Sequence, residues 1–183
     1  MGIYRVKGIK DVKIVDSAGA ETDLPYGNTF TMEPEYETFT FEGDGESQDD
    51  YAALKLNGTI GGDKLSTDVL AKLYGKAVIS TGLPSGEATR IYMGTADELA
   101  APQLGLTVDL YAIDDSDESE ETLRIQVFKI RTQPMTPPEG QNADKWAPLE
   151  FQWSAEKATT DIQGTALPDV PTGGAYYAVS LLS

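Results

Sequence analysis

Apolar and polar residues alternate with a period of two through most of this chain, and inside one extended run the phase of that alternation reverses. From Thr29 to Glu37 the even positions carry Phe30, Met32, Pro34 and Tyr36, and the odd positions Thr29, Thr31, Glu33, Glu35 and Glu37. Phe39 and Phe41 then fall on odd positions, with Thr38, Thr40 and Glu42 between them. A period of two places successive side chains on opposite faces of a strand, so the pattern predicts β-structure with one buried face. A one-residue slip would exchange those faces, which predicts a bulge or bend near Glu37. Pro34 has no N–H to give a ladder, so this strand belongs at an edge or at a point where no such bond is required. The polar segment Gly43–Asp50 reads as a loop, after which Leu54, Leu56 and Ile60 resume the alternation as far as Gly61–Gly62. Residues 29–42 and 51–61 are therefore expected to form a long hairpin joined by an acidic loop.

Downstream, the spacing predicts one short helix. Ser66 or Thr67 can cap it, Asp68 suits its first turn, Gly75 suits its end, and Val69, Leu70, Leu73 and Tyr74 form an apolar stripe. A second helical turn is expected over 96–101, stopped by Pro102. Strands are expected at Asp11–Asp16, Ala88–Met93, Leu104–Ile113, Thr122–Arg131 and 149–156, with Tyr176–Leu182 as a final strand or docking arm. The connection Asp114–Glu121 holds six carboxylates in eight residues: Asp114, Asp115, Asp117, Glu118, Glu120 and Glu121. Many strands, one helix and no βαβ rhythm point to a mainly β fold, an antiparallel β-sandwich or barrel-like sheet with one flanking α-helix. The body spans 1–157, and 158–183 is a C-terminal arm or strand packing on its own or a neighbouring subunit.

Composition narrows the chemistry. Fourteen basic residues against 30 acidic ones give a formal charge of −16, and histidine and cysteine are both absent. A disulfide framework, a thiolate nucleophile, a Cys/His zinc site and a Ser-His-Asp triad are all excluded. Affinity for nucleic acid comes from Lys and Arg neutralising phosphate, so a chain this acidic repels DNA. No apolar run reaches the ~18–20 residues of a membrane-spanning helix, and Met1–Lys7 lacks the apolar core of a secretion signal, so synthesis in a cytoplasm is expected. Gly43-Asp44-Gly45 and Gly58–Gly62 complete neither a dinucleotide nor a P-loop pattern and read as turns and bulges. Asp115, Asp117 and Ser119 are spaced like the start of a calcium loop, but Glu120 stands where glycine makes the turn and Gln126 where a bidentate Glu belongs. A pair of carboxylates at glycosidase spacing is expected by chance among 30 acids. The expectation is no catalytic residue, no cofactor and no metal; the chain is not read as an enzyme. The 114–121 turn reads either as a solvated tip or as a docking loop for basic residues of a neighbour.

Glu33, Glu35 and Glu37 occupy alternate positions of one strand, and such a ladder is either the wet face of a half-buried sheet or the lining of an assembly channel. The short strand at 11–16, the 29–42 strand, FEGDGESQDD, YAALKLNGTIGG, LSTDVLAKLYGKA and the late FQWSAEKA strand together resemble, over most of the chain, the major tail tube proteins of long-tailed bacteriophages. That resemblance implies a β-sandwich with a flanking helix, assembled into hexameric rings that stack into a tube with an acidic lumen through which DNA passes unbound. It makes Glu33, Glu35 and Glu37 candidate lumen residues, and Gly43, Asp44, Gly45, Glu46, Asp49 and Asp50 a candidate inter-ring loop. The partners it implies are further copies of the chain, a tape measure protein and a tail terminator, with the protein resident in the virion after assembly in the host cytoplasm. A capsid decoration or surface-adhesive β-sandwich, or a carbohydrate-binding module, stands as the alternative.

Overall fold

A computed structural model describes residues 4–24, 27–43, 46–62, 66–92, 101–115, 118–134 and 149–182. In chain order the elements are β1 (Tyr4–Val15), β2 (Glu21–Asp23), β3 (Gly27–Gly43), β4 (Glu46–Gly62), α1 (Thr67–Tyr74), β5 (Leu104–Asp114), β6 (Glu120–Thr132), β7 (Leu149–Ala155) and β8 (Tyr177–Leu182). The strands form one antiparallel sheet in the order β2-β1-β5-β6-β7-β4-β3, with β8 paired to β6 beside that path. The expected mainly β fold with one flanking helix is what the chain adopts.

Three residues separate β2 at one end of this path from β3 at the other, a reach of about 15 Å at most. The sheet must therefore curl, which gives it a sandwich-like cross-section and encloses the core against α1. Leu24 N–H bonds the carbonyl of Val12 at 2.8 Å where the ends approach. The core unites Val12 and Ile14 of β1, Leu56 and Ile60 of β4, Leu106 and Val108 of β5, Val127 and Ile130 of β6, and Phe151 and Trp153 of β7. Trp153 is fully buried at its centre and stacks on Phe30, with ring centroids 6.3 Å apart and planes 14° from parallel.

Helix α1 forms as its caps predict. Ser66 accepts from Val69 N–H at 3.2 Å, Gly75 takes the left-handed conformation (φ 62°), and Lys76 N–H returns to the Ala71 carbonyl at 2.7 Å. Its C-terminal carbonyl at Leu73 accepts a 2.7 Å bond from the buried Thr132 hydroxyl, and Tyr74 packs edge-on to Phe151, fixing the helix to the sheet.

Three expectations change, and a fourth is met on the neighbouring strand. The loop expected over Gly43–Asp50 is shorter, because Gly43 closes β3 and Glu46–Asp50 already belong to β4, paired with Phe39–Gly43. The irregularity expected near Glu37 is present between the pairs Glu35↔Lys55 and Tyr36↔Ala53, where Leu54 is an extra residue of β4, so it sits on the partner strand. Strand β1 begins at Tyr4 rather than Asp11, and the short β2 adds to it. Residues 88–92 form no strand, only the bridge Ile79↔Arg90. The expected helical turn at 96–101 lies outside the described residues apart from Ala101.

Candidate functional site

Strand β4 pairs with β7 only from Leu56 to Gly62. Beyond Leu56 the β3–β4 ladder continues through nine register pairs, from Glu35↔Lys55 to Gly43↔Glu46, with no third strand beside it among the described residues. At ~3.3 Å per residue the hairpin extends about 30 Å past the body of the sheet. Exposure follows this change. Phe30 and Met32 are half-buried against the core, whereas Pro34 and Tyr36, two and four residues on, are exposed, Tyr36 to 57%. Among the described residues no strand pairs with the outer edge of β3, which is where Pro34 fits without loss of a ladder bond.

Glu33 and Glu35 are exposed and stand opposite Asn57 and Lys55; Asn57 Nδ2 donates to Glu35 Oε2 at 3.4 Å. Glu37 pairs with Ala52 in the projecting part of the ladder, and its side chain lies outside the described residues. Thr31, Glu33, Asn57, Thr59, Gln133 and Gln152 line a shallow polar hollow of about 280 Å³ on this face. Of the hairpin-end candidates, Gly43, Glu46, Asp49 and Asp50 are ladder residues, and Asp44 and Gly45 lie outside the described residues.

The β5–β6 turn holds Asp114, Asp115, Glu118, Glu120 and Glu121, with Asp117 outside the described residues. Asp114 N–H bonds the Ser119 carbonyl and Glu118 N–H the Asp114 carbonyl, closing the turn with Glu118 at φ 58°. Arg5 pairs with Asp115, while Glu121 Oε2 is buried with no hydrogen-bond partner among the described residues. Among the described residues this turn and the β3–β4 hairpin are not brought together into one site.

Sequence inspection did not find the charged network on the outer face of β1, β2, β5 and β6. Arg124 grips Asp109 through two parallel bonds of 2.7 and 2.8 Å, and the carboxylate raises the guanidinium pKa above its ordinary value. Lys13 meets Glu21 at 3.0 Å, with Asp11 and Asp23 farther out; the Glu21 bond chiefly raises the lysine pKa. The only sequence signal for it was polar residues at alternate positions of strands whose other face is apolar. Asp16 accepts from Ala20 and Ala18 N–H at 2.9 and 3.0 Å, and its carboxyl is held below its ordinary pKa, chiefly by Ala20 and further by Lys72.

Among the described residues no group of three or more acids forms a metal-binding cluster, and no helix is long and apolar enough to cross a membrane. No known family model matches the chain, and no curated protein matches it.

Proposed function

We propose that this chain is a structural subunit that polymerises as stacked, hexameric rings into a phage tail tube whose acidic lumen lets DNA pass without holding it. The observation that carries the reading is the β3–β4 hairpin, which extends about 30 Å past the sheet with no strand among the described residues paired to either outer edge. A lone protein protects such edges from pairing with other chains; an assembling one uses them. The charge supports the reading, because Glu33 and Glu35 add exposed carboxylates to a chain at −16. A ring of six would carry about −96, so assembly is favoured by moderate salt or divalent cations that screen the repulsion.

A capsid decoration or surface-adhesive β-sandwich is favoured by a different observation. Strand β8 pairs with β6 of its own chain, so one copy extends its sheet without a neighbour. The carbohydrate-binding alternative finds less support, since the described tryptophan, Trp153, is buried. Negative-stain microscopy of the concentrated protein separates these readings. Rings or tubes that are lost on replacing residues 37–52 by a short turn support the tail tube reading, and dispersed single particles or compact trimers support decoration. Converting Glu33, Glu35 and Glu37 together to Lys should leave tubes intact while impairing DNA passage; loss of tubes would place these residues at an interface.

A further inference from the structure

Strand β8 is exposed at every position, although all of its residues but Ser180 are apolar. Tyr177, Val179 and Leu181 pair with Val127, Ile125 and Leu123 of β6. Ile125 and Val127 are core residues, so the β8 residues continue the core face of the sheet outward to the edge. There it lies uncovered, with Val179 53% exposed. Among the described residues β8 pairs with β6 alone, so its second edge presents free backbone donors and acceptors. The strand also has a charged end. Leu182 pairs with Thr122, which places the C-terminal end of β8 beside Glu120 and Glu121 and the rest of the acidic β5–β6 turn. Glu121 shares the face of Leu123 and Leu181, and its buried Oε2 has no partner among the described residues.

From this arrangement we infer that β8 is a docking edge for an extended segment of a partner protein, apolar at alternate positions and basic at its N-terminal end. The polarity follows from geometry. A segment adding antiparallel to β8 starts at the Leu182 end, beside the acidic turn, and runs toward Tyr177. Its backbone completes the free ladder, its alternate apolar side chains cover Leu181, Val179 and Tyr177, and its leading Lys or Arg residues meet Glu118, Glu120 and Glu121.

The probe is a fluorescently labelled synthetic peptide of two lysines followed by four Val-Thr repeats. It is titrated by anisotropy at protein concentrations where sedimentation shows a single copy, so the result is independent of tube formation. Saturable binding is expected. Glu118→Lys with Glu120→Lys, both exposed positions, should weaken it about fivefold, the product of two modest charge pairs, as should moving the lysines to the C-terminal end. Methylating alternate Val amides should abolish binding. Equal binding of the two lysine placements, or of the methylated peptide, would overturn the inference. So would failure of every peptide to bind while sedimentation shows self-association dependent on β8, which would make a second copy the occupant.

Discussion

Gly58 lies where the projecting hairpin leaves the body, opposite Met32 on β3 and Trp153 on β7. A methyl group added there would sit 2.6 Å from Cε2 of Trp153, and closer still to Cζ2 of that ring and to the carbonyl oxygen of Thr31. Neither obstacle yields easily: the carbonyl belongs to the β3–β4 ladder, and the indole is fully buried and stacked on Phe30. Carbon atoms pack at about 3.5–4.0 Å, so relieving the overlap needs a shift of roughly 1 Å in a close-packed core. Overpacking of this kind costs about 1–3 kcal/mol and sometimes more, against about 0.4–1 kcal/mol gained from the stiffer unfolded chain. The expected net effect of Gly58→Ala is therefore a loss of about 1–2 kcal/mol, read from the midpoint of urea unfolding at unchanged m-value. Trp153→Phe should cost about 1 kcal/mol, because the smaller ring leaves space but removes an indole N–H that is buried without a partner among the described residues. The space it leaves should admit the methyl, so the double variant should be more stable than the sum of the two losses by at least about 1 kcal/mol. A Gly58→Ala protein within about 0.5 kcal/mol of the parent, or strict additivity in the double variant, would refute this account of the β3–β4–β7 packing.

Other substitutions probe separate features. Asp109→Ala would strip Arg124 of a bidentate partner in a half-buried position and should cost about 2 kcal/mol in chemical denaturation, with Asp109→Asn costing less. Ser66→Ala removes the acceptor for Val69 N–H and should cost about 1 kcal/mol, detectable as a lowered thermal midpoint. The depressed pKa of Asp16 stabilises the fold fully above its unfolded value near pH 4, and that contribution is lost as pH falls through the lower folded value. Asp16→Asn should therefore lower the neutral plateau of the stability–pH curve and flatten its acid limb; an unaltered acid limb would contradict the assignment.

The strands legible in the sequence are those whose ladders run without interruption. The alternation at 104–113 and 149–155 maps directly onto β5 and β7, because inward residues two apart stay on one face. Strand β1 was visible only in part for a specific reason. Its register slips at Lys7 and again at Lys10, so the inward residues Ile9, Val12 and Ile14 are spaced three and two apart and mimic no single period. In β6 one extra residue between Val127 and Ile130 does the same. Glu46–Asp50 read as a loop because the segment is polar at every position, with no apolar alternation to mark it as a strand. Helix α1 was legible from its caps and stripe alone. The charged face built around Asp109, Arg124 and Lys13 was not, because cross-strand partners 15 or more residues apart can be matched only once the register is known. The edge role of β8 likewise depends on its pairing with β6, which the apolar run at 176–182 does not specify.

The central claim is that the projecting β3–β4 hairpin exists to join copies of this chain into a tube. The most direct measurement is negative-stain microscopy of the purified protein at high concentration across a salt series, beside a variant in which residues 37–52 are replaced by a short turn. The proposal predicts hollow rings or tubes for the full chain, more abundant at moderate salt, and their absence from a variant that keeps its β spectrum and a cooperative unfolding transition. Single dispersed particles of the full chain at every salt concentration, or tubes formed equally well without the hairpin, would contradict it.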